Sequence, residues 1–143
     1  MSPFDFDAVV EQYHQAVDEM VKGSADDFRR AYSRRADVTL ANPFGPPARG
    51  WEQVEQTLER AASQMRDGTV TGFERIVTGM TAELAYIVEI ERGRTKFGDR
   101  DDITPYSLRV TTIFRPEEGT WKVVHRHADP ITTVRAPESV IQK

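Results

Sequence analysis

The chain has 143 residues and no cysteine, a length that favours one domain with a core of its own and a composition that excludes disulfides, thiolate metal sites and cysteine nucleophiles, as suits a reducing, cytoplasmic setting. Nineteen basic against 23 acidic residues give a net charge of −4, which argues against nucleic acid as a partner. No apolar run approaches the roughly 20 residues of a membrane span, and Met1-Ser2-Pro3-Phe4-Asp5 lacks the basic and apolar regions of a signal peptide.

Phe6, Val9, Val10, Tyr13, Ala16, Val17, Met20 and Val21 recur at three- and four-residue spacing, which predicts a first helix closed by Gly23. Ser24 is a candidate N-cap for a short second helix carrying Phe28, Ala31 and Tyr32. Val38-Thr39-Leu40 reads as a strand. Asn42-Pro43-Phe44-Gly45-Pro46-Pro47 can continue neither helix nor sheet and predicts a stiff loop. Trp51, Val54, Leu58, Ala61 and Met65 mark a third helix, closed by Asp67-Gly68. From Thr69 onward β-branched and aromatic residues predict strands at about 70–78, 84–94, 106–115 and 120–128. Pro116 to Gly119 joins the last two, Lys96 to Asp102 is a charged loop, and Pro130 begins a tail. The order ααβαββββ defines a single α+β domain, with its core over residues 5–130 and a tail over 131–143, and with helices on one face of a curved, mainly antiparallel sheet.

That order, the Pro-rich loop before helix three, and the ending Trp121-Lys122-Val123-Val124-His125-Arg126-His127 resemble the nuclear transport factor 2-like superfamily, in its SnoaL-like and ketosteroid-isomerase-like branch. The ending is also similar to the association domain of calcium/calmodulin-dependent kinase II. The resemblance implies a cone-shaped α+β barrel with a pocket between helices and sheet. It leaves function open, because the fold hosts isomerases, cyclases, dehydratases and assembly modules. Ketosteroid isomerases carry Asp-Pro-Phe-Gly with the Asp as general base. Here the segment is Asn42-Pro43-Phe44-Gly45, and an amide cannot take that role. The oxyanion-donating tyrosine of those enzymes aligns with Ala16, one turn after Tyr13.

Strict alternation would place His125, His127 and Asp129 on one strand face with Trp121 and Val123, the face that lines the pocket in the family. There the histidines could exchange protons, with His127 as acid/base and Asp129 or His125 orienting it. The same trio could chelate a metal or simply form a hydrogen-bonded wall. Arg109 and Thr111 share a face of the preceding strand. Arg109 turned inward would need a carboxylate, for which Glu89 and Glu91 are the candidates, and paired with Glu89 it would form a polar floor; turned outward it would make a surface ion pair of little consequence. Asn42, Phe44, Trp51, Tyr13, Tyr32 and Phe28 are expected in the apolar wall. A pocket filled by Trp51 and Phe44 would favour a non-catalytic association module. An open one would favour binding of a small apolar or carbonyl-bearing molecule, with isomerase-, cyclase- or dehydratase-type proton transfer as its possible chemistry. No phosphate loop or serine-nucleophile motif implies an organic cofactor. Tyr86, Val88 and Ile90 on the outward sheet face predict a homodimer.

Overall fold

The structure, a computed structural model, describes residues 5–142; Met1 to Phe4, where a targeting signal was not expected, lie outside it. Helix α1 runs Phe6–Val21. Its N-terminus is capped by the Asp5 carboxylate, which accepts from the Ala8 N–H at 3.2 Å. Gly23, at φ +105°, turns the chain out of the helix as only glycine does without strain. Helix α2 spans Asp26–Ala31, and its N-cap is Ala25, one residue after Ser24. Strand β1 is Thr39–Ala41, β2 is Ala48–Arg49, and α3 is Trp51–Ser63. Four long strands follow: β3 at Met65–Met80, β4 at Ala85–Phe97, β5 at Thr104–Glu117 and β6 at Thr120–Asp129. A short 3-10 turn at Pro137–Val140 lies in the tail. No helix among the described residues is long and apolar enough to cross a membrane.

The six strands form one sheet in the order β2-β1-β6-β5-β4-β3, antiparallel except for the parallel pairing of β1 with β6. The three helices cover one face. Phe6, Tyr13, Val17 and Met20 from α1, Phe28 from α2, and Val54 and Leu58 from α3 pack on Ile87, Phe114, Trp121 and Val123 of the sheet. The layers stay together because each element buries one apolar stripe and has no other surface to bury it on.

The short strand β2 adds to the expected order ααβαββββ, and β4 and β5 run on into the expected Lys96 loop and Pro116 turn; two further departures change which residues close the helices or face them. Asp67-Gly68 does not close α3. It lies inside β3, where Asp67 sits at φ +59° and the register with β4 slips between Arg66 and Thr69. The turn chemistry is real, but the strand absorbs it as a bulge. The second departure is in β6. Phe114 pairs with Val123 but Ile113 pairs with His125, so Val124 has no partner and forms a bulge. Trp121 and Val123 face the helices before the bulge; Arg126 and Ala128 face them after it. One extra residue shifts a period of two by one step and exchanges the faces.

Gly68 marks the tightest approach of helix to sheet. A Cβ there would stand 2.5 Å from the Val21 carbonyl oxygen and 2.6 Å from the Thr95 side chain. The Thr95 hydroxyl in turn donates to the Val21 carbonyl at 2.8 Å. Gly68→Ala is expected to lower stability by about 1–3 kcal/mol, read as an earlier thermal melt, whereas Gly72→Ala, with nothing within 4 Å, serves as the tolerant control.

Candidate functional site

Between the helices and the inner sheet face lies a cavity of about 330 Å³. Its walls are mostly apolar: Val17, Met20 and Val21 from α1, Leu58 and Ala61 from α3, and Leu108 and Ala128 from the sheet. Asn42, Pro43 and Phe44 of the stiff loop line it as well, and Phe44 is half exposed. The Asn42 side-chain Oδ1 accepts the Phe44 N–H at 3.0 Å, an Asx turn that leaves the side-chain NH₂ as the donor for anything in the cavity. Trp51 does not fill the space. It sits half-buried under the Arg34 guanidinium, 5.0 Å from the ring centre.

The polar part of the wall is Glu91, Tyr106 and Arg126. Glu91 is buried on β4. One carboxylate oxygen accepts from Arg126 Nη2 at 2.9 Å, the other from the Tyr106 hydroxyl at 2.8 Å. Arg126 Nη1 donates to the Tyr13 oxygen at 2.5 Å, and that oxygen lies 2.7 Å from Thr112 Oγ1. The guanidinium also lies over the Phe28 ring at 5.5 Å. Such a chain of partners is what a buried charge requires. Among the described residues no buried side-chain polar atom lacks a hydrogen bond. Burial pushes the Tyr106 phenol well above its ordinary pKa, and the Glu91 charge beside it adds to the effect, so Tyr106 stays protonated. Burial raises Tyr13 in the same way, partly offset by Arg126.

The other expected site residues are placed elsewhere. His125, His127 and Asp129 do not reach the cavity, because the Val124 bulge turns them to the outer face of the sheet. His127, half exposed, has Nε2 2.9 Å from Asp129 Oδ2. Arg109 also faces outward and donates through Nε to both Asp129 oxygens, at 2.8 and 3.0 Å. It stands opposite Ile90 on β4, so it cannot meet Glu89 on the other face. Partial burial works to raise the Asp129 pKa but is outweighed by hydrogen bonds from the Ile131 N–H, Arg109 and His127, which hold the carboxyl below its usual range. His125 bonds Thr39 through Nδ1 at 2.7 Å, and its pKa is lowered by partial burial and by neighbouring His127. Among the described residues no three His, Asp or Glu side chains converge as a metal site, so the chelate reading of this trio is not met. Thr111 lies on the outer face opposite His127. Tyr32 is core, its hydroxyl donating to the Thr39 carbonyl at 2.6 Å, and Tyr13 holds Arg126 from beneath.

Glu89 does face inward, but at the β3 side of the sheet. His14 Nε2 lies 2.9 and 3.0 Å from its two oxygens, and Arg75 Nε donates to it at 3.0 Å. The His14 ring stacks on Phe73 with centroids 3.6 Å apart. Tyr106 and Arg126 are polar cavity residues to which the sequence reading gave no role, and Glu91, considered there with Glu89 as a carboxylate for Arg109, pairs with Arg126 instead. The alternation Val110, Thr112, Phe114 on β5 was the available signal that Arg109 points outward.

Residues 7–132 match the family model of the SnoaL-like domain, and the chain belongs to that family. No curated protein is significantly similar to it in sequence. Among solved structures, a nuclear transport factor 2-like superfamily protein from Salmonella enterica superposes with TM-score 0.74 at 13% identity, covering 92% of each chain. A ketosteroid isomerase-like protein from Erwinia carotovora gives 0.72 at 16% identity, over 89% of this chain and 94% of that one. A candidate dehydratase of the same fold from Streptomyces avermitilis gives 0.73 at 15% identity, over 90% and 95%. At such identities the likeness is one of fold.

The Arg126–Glu91 pair generates a test. Arg126→Met leaves a buried carboxylate without its cation and is expected to cost about 3–5 kcal/mol. Adding Glu91→Gln should return much of that loss, read as recovery of the thermal midpoint in the double variant. Arg109→Ala, on the outer face, should change stability by no more than about 1 kcal/mol.

Proposed function

We propose that this SnoaL-like chain binds a small, mostly apolar molecule in the cone, with one hydroxyl or carbonyl group set against Glu91, Tyr106 and Arg126. The observation that carries this reading is the self-neutralised polar cluster in an otherwise apolar, unfilled cavity. Arg126 and Glu91 cancel in charge, so the group placed beside them is neutral. Glu91 and Tyr106 keep oxygen lone pairs that accept from a hydroxyl; the Asn42 amide and the remaining Arg126 N–H groups donate to a carbonyl. The open cavity favours this over a pure association module.

Proton transfer of the isomerase, cyclase or dehydratase type is the second reading, favoured by the names of two structural neighbours. Glu91 is the one carboxylate on the cavity wall among the described residues, so it would accept the proton. Arg126 would stabilise the negative charge that develops on a ligand oxygen. The histidine-centred scheme gives way to this one, since His125 and His127 lie on the opposite face of the sheet.

The experiment is fluorescence titration with 2-naphthol and 2-methylnaphthalene. Both are expected to bind saturably. Tyr106→Phe removes one hydrogen-bonding oxygen, worth about 1 kcal/mol, so it should weaken 2-naphthol about fivefold and leave 2-methylnaphthalene unchanged. Failure of both probes to bind, or equal effects on the two, would overturn the assignment.

The outer face supports a homodimer as the assembled form. Tyr86, Val88 and Ile90 all point outward there, joined by Val77 and Ile113. The pairs Arg109–Asp129 and Arg92–Glu74 on the same face offer both signs of charge, as a self-complementary two-fold contact needs. Light scattering should give twice the 16.2 kDa chain mass, and Val88→Glu should reduce it to one. A wild-type monomer at micromolar concentration removes the dimer.

A further inference from the structure

A second cavity, of about 480 Å³, adjoins the cone. The two share Asn42, Phe44, Ala61 and Phe97, so they are a chamber and a vestibule with common walls. Their electrostatics differ. The chamber's two charges neutralise each other, whereas the vestibule wall carries one charge, the Arg60 guanidinium of α3, and no acidic side chain.

Arg60 is also unusual among the arginines. Arg29 and Arg30 pair with acids three residues before them on α2. Arg66, Arg75, Arg92, Arg100, Arg109, Arg115 and Arg126 are all in salt bridges. Among the described residues only Arg49, Arg60 and Arg94 have no salt-bridge, hydrogen-bond or ring partner for the guanidinium, and of these Arg60 is the one that lines the chamber or the vestibule. Its own helix offers no acid within reach. Residues 56, 57, 63 and 64, the positions three and four away, are Gln56, Thr57, Ser63 and Gln64. Neighbouring Glu59 is held by Arg29, and Asp101 and Asp102, a few residues past Gly98 of the vestibule wall, are taken by Arg66 and Arg100. In a chain of net charge −4, an unpaired cation at the wall of a cleft is a local feature and not a consequence of composition.

We infer that the ligand is bipartite: an apolar body with a neutral polar end in the cone, and a single anionic group, such as a carboxylate, held in the vestibule by Arg60. This rests on the cone as the binding site and names the ligand class that the site selects. Gln64, the C-cap of the same helix, supplies a neutral amide donor beside the cation. The guanidinium fork suits a carboxylate, which accepts two parallel N–H groups. The Pro-rich loop sets Phe44 between chamber and vestibule, so an aliphatic tether would pass along its ring.

The test compares 4-(2-naphthyl)butanoate with 4-(2-naphthyl)butan-1-ol, which share body and tether and differ in charge. The acid is expected to bind the wild-type protein about fivefold more tightly, the ratio that about 1 kcal/mol from a solvent-accessible ion pair gives. Arg60→Gln, at an exposed helix position, should abolish that preference while leaving the alcohol's affinity unchanged. Arg60→Lys should keep part of it, and 1 M salt should shrink it in the wild type. Equal affinity of acid and alcohol for the wild type, or a preference that survives Arg60→Gln, overturns the anion assignment while the cone stands. Failure of both probes to bind removes the cone reading itself.

Discussion

The ion pair between Arg126 and Glu91 gives the cone its chemistry, and it exists because β6 holds one residue more than its partner strand requires. With Val124 left unpaired, the strand enters the bulge with Trp121 and Val123 facing the helices and leaves it with Arg126 and Ala128 in that place. An unbroken strand would have put His125 and His127 inside and Arg126 in water. Glu91 would then have been a buried carboxylate with no cation, at a cost of several kcal/mol. The bulge and the acidic position on β4 therefore depend on each other.

Strand β4 carries two buried carboxylates on one face, and the fold treats them differently. Glu91 belongs to the cavity, where Arg126 and Tyr106 satisfy it. Glu89 is closed off by His14 and Arg75, with Phe73 stacked on the histidine. Both are desolvated, and each is tolerated because every oxygen has a donor. The consequence for ligands is that the chamber holds charges but no net charge. A wall of that kind suits a neutral hydroxyl or carbonyl better than an ion.

The resemblance to the ketosteroid-isomerase-like branch gave the right architecture and drew attention to a loop that lines the cavity. Asn42 and Phe44 do line the cavity. The Asn42 side-chain oxygen is taken by the Phe44 N–H, so what remains for the cavity is a pair of donors instead of a base. The aromatic residues expected in the wall divide by depth. Phe28 lines the cavity, Tyr13 lies beneath its polar wall, Tyr32 belongs to the core, and Trp51 stays outside under Arg34.

What the sequence determined by itself was what is local and periodic: the three helices from the spacing of apolar residues, the long strands from β-branched runs, the Pro-rich loop, and the outward turn of Tyr86, Val88 and Ile90. These follow from repeats of 3.6 and 2, which need no knowledge of neighbours. The faces of His125, Arg126, His127 and Asp129 were decided only in the tertiary structure. A bulge is set by how one strand's hydrogen bonds register against the next, and no pattern within His125 to Asp129 reports whether a residue upstream has lost its partner. The same holds for Arg109, whose partner was chosen by the face it shares with Asp129, and for Arg60, which is distinguished by the cavity beside it and by acids already paired elsewhere.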